Sequence, residues 1–174
     1  MKVGIYNEPA AGLGGSEYLT AVMAHTLARR HDVEVLHHSA GLSAGDLSNH
    51  SGLDLHRLPV RYVPREPNDA VQSRGRWRAH RAVWSWQRRL SESYDLFIAV
   101  THGIPPVCHA RAGALLVLFP AFDRAAVWPW SVGTAHKVSL AARLRRAYHT
   151  WDWERRFGSY QVKASISRFA QQWT

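Results

Sequence analysis

Apolar residues along the chain fall into short continuous runs, separated by segments in which they recur at helical spacing. Lys2–Tyr6 is a β-type run closed by Asn7-Glu8-Pro9, and a Gly-rich loop from Ala10 to Gly15 follows. Ser16 is a good helix N-cap, and Leu19, Val22, Met23, Thr26 and Leu27 then repeat with a helical period. Arg29 and Arg30 fall in the last turn, where the helix dipole favours cations. Val33–Leu36 predicts a second strand, and Leu55–Val60 a third after a Gly/Ser/Asn loop. Pro59, Pro64 and Pro67 mark an irregular stretch. Arg76–Leu90 predicts a helix, and Tyr94–Val100 and Ala114–Phe119 predict buried strands. Lys137–Tyr148 reads as a helix with Leu140, Leu144 and Ala147 on one face. Tyr160–Ile166 is a last strand, after which Ser167 caps a helix.

Strands without polar alternation, alternating with helices, predict a parallel sheet covered on both faces. The expected fold class is α/β and Rossmann-like, with ligands at the carboxyl ends of the strands. The loops after Tyr6, Leu36, Val100 and Phe119 are therefore the places to look for chemistry. A length of 174 residues suits one domain and falls short of two complete nucleotide-binding domains.

The first loop, Gly12-Leu13-Gly14-Gly15-Ser16-Glu17, is the sharpest local feature. Glycines let a backbone approach a ligand, and the following helix aims free N–H groups at it. Phosphate is the natural guest; a tight turn without a ligand has the same sequence requirements. The dinucleotide fingerprint fails, because Glu17 stands where a third glycine belongs and His37-His38 replace the acid that would close the second strand. No Gly-Lys-Ser/Thr occurs, so a P-loop is excluded.

Gly14-Gly15-Ser16-Glu17 after a first strand resembles the Gly-Gly-x-Glu signature of family-4 glycosyltransferases of the GT-B fold. Tyr94-Asp95-Leu96-Phe97-Ile98 is similar to that family's fourth strand, and Thr101-His102-Gly103 to the His-containing loop behind it. Ser165-Ile166-Ser167-Arg168-Phe169 resembles the element that ends its N-terminal domain, with Ile166 in place of the usual Asn. The resemblance spans nearly the whole chain and implies a retaining transferase that uses a nucleotide-diphosphate sugar as donor and a hydroxyl acceptor, a lipid or a glycan. Residues 1–174 would form the N-terminal, acceptor-side domain, with the donor-binding half absent and supplied by a separate domain or chain.

Carried over, Gly14, Gly15 and Ser16 would meet the donor phosphates. Glu17 would bind acceptor hydroxyls or complement the helix dipole. His102, at a strand's carboxyl end, would be the proton-handling residue. No metal and no tightly bound cofactor are implied. Many relatives carry a His after the fifth strand; here Pro120 occupies that place, so the role of that His does not transfer, and Asp123 is read as a turn residue.

Charge sharpens the picture of partners. Lys and Arg number 22 against 13 acids, for a net +9, and all but three of the 22 are arginine. Such a balance favours anionic partners. It is concentrated from Arg57 to Leu90, with nine arginines against Glu66 and Asp69. At roughly 100° per residue, Ala79, Val83, Trp86 and Leu90 share the core face of the predicted helix, and Trp77 and Trp84 fall opposite, flanked by Arg81 and Arg88. Indoles beside guanidinium groups suit an anionic membrane surface. The same tryptophans would equally pack under the proline-rich 59–75 loop. No DNA-binding motif accompanies the charge, so specific nucleic-acid reading is not expected. A second basic tract, Lys137–Arg168, carries Trp151 and Trp153 and reads as a solvated helix face. The longest apolar stretch, Gly113–Phe119, stops at Pro120, well short of a bilayer span, and the N-terminus lacks a signal-peptide pattern. A single cysteine, Cys108, excludes an internal disulfide. A cytoplasmic protein, peripheral on a membrane, is the expectation. A non-catalytic membrane- or partner-binding module and a generic phosphate-binding domain are the alternatives.

Overall fold

The computed structural model describes residues 1–8, 13–67, 76–118 and 140–168, with the side chains of 76–80, 141–146 and 149 outside that set. The elements run β1 (Lys2–Asn7), α1 (Gly15–Ala28), β2 (Asp32–His37), α2 (Ala44–Ser51), β3 (Val60–Tyr62) and α3 (Arg76–Ser91). They continue with β4 (Leu96–Thr101), β5 (Ala112–Val117), α4 (Leu140–Gly158) and β6 (Val162–Ser165). All strand pairs are parallel, in the order β3-β2-β1-β4-β5-β6. The fold is α/β and Rossmann-like, with helices on both faces of the sheet.

The strands alternate side chains between two cores. Val3 and Ile5 of β1 and Val33 and Val35 of β2 pack with Ala21 and Ala24 of α1 and Leu47 of α2. Tyr6, Leu36, Phe97, Ala99, Leu115 and Val117 point to the opposite face, where Trp86 and Leu90 of α3 and the Tyr160 ring cover them. The predicted core face of α3 is therefore the one observed at Trp86 and Leu90. Gly4 lies directly under the Tyr94 ring, since a Cβ there would stand 2.8 Å from two ring carbons. No helix among the described residues is long and apolar enough to cross a membrane.

Four expectations need correction. Gly14, in extended conformation, is the N-cap of α1, and Ser16 sits one residue inside the helix. The stretch expected as a Gly/Ser/Asn loop contains α2, opened by a capping box in which the Ser43 hydroxyl accepts from the Asp46 N–H and the Asp46 carboxylate accepts from the Ser43 N–H. The third strand is shorter and later than expected, because residues 55–58 form a turn, with Leu58 N–H on Leu55 O. Helix α4 runs to Gly158 rather than Tyr148, so Trp151 and Trp153 are helical and Trp153 is buried. Pro120 and Asp123, the Trp77 side chain and the residues after Arg168 lie outside the described residues.

β4 and β5 are parallel neighbours joined by residues 102–111, which form no helix. Parallel crossovers usually carry one. The segment runs back along the sheet face instead. Pro105 and Pro106 carbonyls accept from Arg156 and Tyr160, so α4 and its trailing turn pack over the crossover.

Candidate site at the strand-order reversal

The order in which the chain lays down its strands reverses between β1 and β4. From β1 the chain moves towards β2 and β3; from β4 it moves towards β5 and β6. Ligands of open α/β sheets bind in the crevice outside the strand carboxyl ends at such a point. Glu8 follows β1 and Thr101 ends β4, and the Thr101 hydroxyl donates to Glu8 Oε2 at 2.7 Å. A cavity of about 320 Å³ opens here, walled chiefly by Tyr6, Glu8, His38, Arg65, Glu66 and Arg156.

Each wall has a cause in the sequence. His37 and His38 are consecutive at the end of β2, so they face opposite sides of the sheet. His38 turns to the α3 side. Its Nδ1 is 2.7 Å from Val63 O, which fixes the proton on Nδ1 in the neutral ring, so Nε2 accepts from the Tyr6 hydroxyl at 2.8 Å. Burial, aided by the Glu8 and Glu66 charges, pushes the Tyr6 phenol well above its ordinary range, so Tyr6 stays protonated. Arg156 of α4 is buried and binds Glu66 through both terminal nitrogens, at 3.0 and 2.8 Å, and Asp152 through Nε at 2.7 Å. The fully buried Gln87 of α3, with its amide oxygen facing the guanidinium, accepts from Nη1 at 2.9 Å. Burial works against the Arg156 charge, but Glu66 and Asp152 outweigh it and hold the pKa above the usual guanidinium value. This network joins α4 to the proline-rich segment after β3.

On the other side of β1, the glycine loop folds onto its own helix. Glu17 is buried, and its Oε2 accepts from the Gly14 N–H at 2.9 Å and the Ser16 hydroxyl at 2.8 Å. Its Oε1 accepts from Asn7 Nδ2 at 3.3 Å and lies 4.0 Å from His37 Nε2. The Gly14 N–H and Ser16 hydroxyl that the resemblance assigns to phosphate thus meet an internal carboxylate. Gly15 is unconfined, with no atom within 4 Å of a Cβ added there. Burial lowers the His37 pKa, and His38 adds to this while Glu17 opposes it.

His102 is exposed, and the residues on either side of it, Thr101 and Gly103, are the ones that approach Glu8. Trp84 is 48% exposed with the Arg88 guanidinium 5.7 Å above its ring, and Arg81 is exposed one turn earlier. Trp151 of α4 is 55% exposed and carries Arg155 in the same way at 5.3 Å. His109 meets Trp84 edge-on, and its pKa is lowered by burial and by the Arg88 and Arg155 charges, so the two Trp–Arg pairs share one side of the molecule. No three His, Cys, Asp or Glu side chains among the described residues group as metal ligands.

Sequence reasoning missed Glu8, the Tyr6–His38 pair and the Glu66–Arg156 pair. Glu8 carried a usable signal, since it stands at the carboxyl end of the first strand. Glu66 and Arg156 lie 90 residues apart, and no local pattern joins them. Comparisons with protein-family models, curated proteins and solved structures gave no match.

Proposed function

We propose that the chain is the acceptor-side domain of a glycosyltransferase. It would act in moving a sugar from a nucleotide-diphosphate donor to a hydroxyl acceptor, with the donor held largely by a further domain or chain. The observation that carries this reading is the polar cavity at the strand-order reversal, where carboxylates, guanidinium groups and the Tyr6 and His38 rings line one space. Sugars are held by that combination, with hydroxyls on charged side chains and C–H faces on rings. The four motifs that resemble family-4 enzymes add support, and two of them border this edge of the sheet, at Gly14–Glu17 and Thr101–Gly103. Gly15 and the exposed His102 remain the candidates for donor phosphate and proton handling.

Saturation-transfer NMR on the 174-residue chain tests the reading. Methyl glycosides of glucose, galactose, mannose and N-acetylglucosamine should receive magnetisation, and NAD should not. A chain that binds NAD and no glycoside would remove it, as would efficient sugar transfer by the chain alone.

A second reading, a non-catalytic module that docks on an anionic membrane, is favoured by the paired Trp84–Arg88 and Trp151–Arg155 ledges. The two readings are compatible when the acceptor is a lipid.

A further inference from the structure

We propose that Glu8 is the residue that grips the acceptor hydroxyl. This rests on reading the switch-point cavity as a saccharide site. The Glu8 N–H still bonds Val100 O at 3.1 Å, so its backbone belongs to the sheet ladder rather than to a free loop. A group on such a rigid element is placed reproducibly.

Thr101, wholly buried, orients the carboxylate. Its hydroxyl oxygen accepts from the Gly103 N–H at 2.9 Å. Its single proton has two acceptors in reach, Glu8 Oε2 at 2.7 Å and Gly103 O at 3.0 Å, and the shorter, charged one is preferred. Donors therefore run N–H to O–H to carboxylate, each polarising the next. The Thr101 proton is spent, and Glu8 Oε2 is fixed. Oε1 has no donor among the described residues, although a carboxylate accepts at both oxygens.

Of the neighbouring groups, the exposed Arg65 has no hydrogen bond among the described residues, while the others are already committed. Both Glu66 oxygens are on Arg156, and the Tyr6 hydroxyl is on His38. Glu8 is thus the uncommitted carboxylate of the wall. What it lacks is an O–H donor. A sugar hydroxyl supplies one.

Gly103 makes the arrangement possible. A Cβ there would stand 3.1 and 3.3 Å from the two Glu8 oxygens, so even a methyl obliges the carboxylate to give by a few tenths of an ångström. Sequence pattern gave Gly103 no role beyond following His102. The geometry gives it one that can be tested without removing a polar group.

The experiment is an NMR titration of the isotope-labelled 174-residue chain with the four methyl glycosides. Saturable shifts at Glu8, Thr101 and Gly103 are expected. E8Q should weaken glycoside binding at least about tenfold, and G103A to a smaller but measurable extent, while the remaining amide spectrum stays native. E8D, which keeps the charge and shortens the reach, serves if E8Q fails to fold, and should also bind more weakly. Wild-type affinity in E8Q and G103A overturns the proposal and leaves the saccharide reading standing. So do glycoside shifts confined to another part of the sheet. If the wild-type chain binds none of the glycosides, both the proposal and the cavity reading fall.

Discussion

The Glu17 carboxylate lies 2.9 Å from the Gly14 N–H, at the N-terminus of the helix that Gly14 caps. The helix thus carries its own anion at the position where an external one would bind. Ser16 and Asn7 donate to the same carboxylate. Glu17→Gln keeps the shape but sets an amide NH2 against either the Gly14 N–H and Ser16 hydroxyl or the Asn7 amide. It should lower the unfolding free energy by about 2 kcal/mol, read from urea denaturation. Unchanged stability would mean that the network contributes nothing.

Two glycines separate fold from function. Gly4→Ala forces a methyl into the Tyr94 ring, and overpacking of this kind costs about 1–3 kcal/mol. Gly15→Ala meets nothing and replaces glycine within a helix, so it should be neutral or stabilising by up to about 1 kcal/mol. Paired thermal melts distinguish them. A loss from Gly15→Ala equal to that from Gly4→Ala would contradict the packing described here.

Stability should fall in mild acid. The folded chain disfavours a proton on buried His37, whose pKa lies below the ordinary 6.5, while the unfolded chain accepts one. The stabilisation is complete above the unfolded value and is lost as pH drops from there through the folded value. His109 shifts in the same direction. Urea midpoints measured from about pH 7 to pH 5 should decline, and His37→Asn should flatten the slope. Asn is chosen because its oxygen can take the Ser39 N–H that His37 Nδ1 accepts at 2.9 Å. An identical slope in the variant would exclude His37 as its source.

If the Trp–Arg ledges meet lipid, sedimentation with phosphatidylglycerol vesicles should fall several-fold in Trp84→Ala/Trp151→Ala, and binding should weaken with salt. Neutral phosphatidylcholine vesicles serve as the control. Binding that survives the double substitution would place the lipid contact elsewhere on the chain.

The sheet was legible because its signal is local. Leu-Phe-Ile-Ala-Val at 96–100 is short, rich in β-branched and aromatic residues and bounded by polar ones, the marks of a strand buried on both faces. Helix α2 was not, because AGDLSNHS has few apolar positions and its determinant is the Ser43–Asp46 cap. Ser16 misled for a related reason. Ser is a good cap in general, but here Glu17 reaches back to the Gly14 N–H and starts the helix earlier. The site was half legible. Strand ends pointed to the loop after Tyr6 and to Thr101–Gly103, whereas the Thr101–Glu8 contact depends on side-chain directions that spacing does not encode.

The helix-free crossover between β4 and β5 bears on the order in which the chain becomes stable. Phe97, Leu115 and Val117 receive part of their cover from Phe157 and Tyr160. During synthesis these strands emerge well before the residues that shield them. A nascent chain halted before α4 would display that apolar face, making it a natural target for chaperones. Release of α4 from the ribosome, rather than pairing of the strands, would then set the moment at which that apolar face is covered.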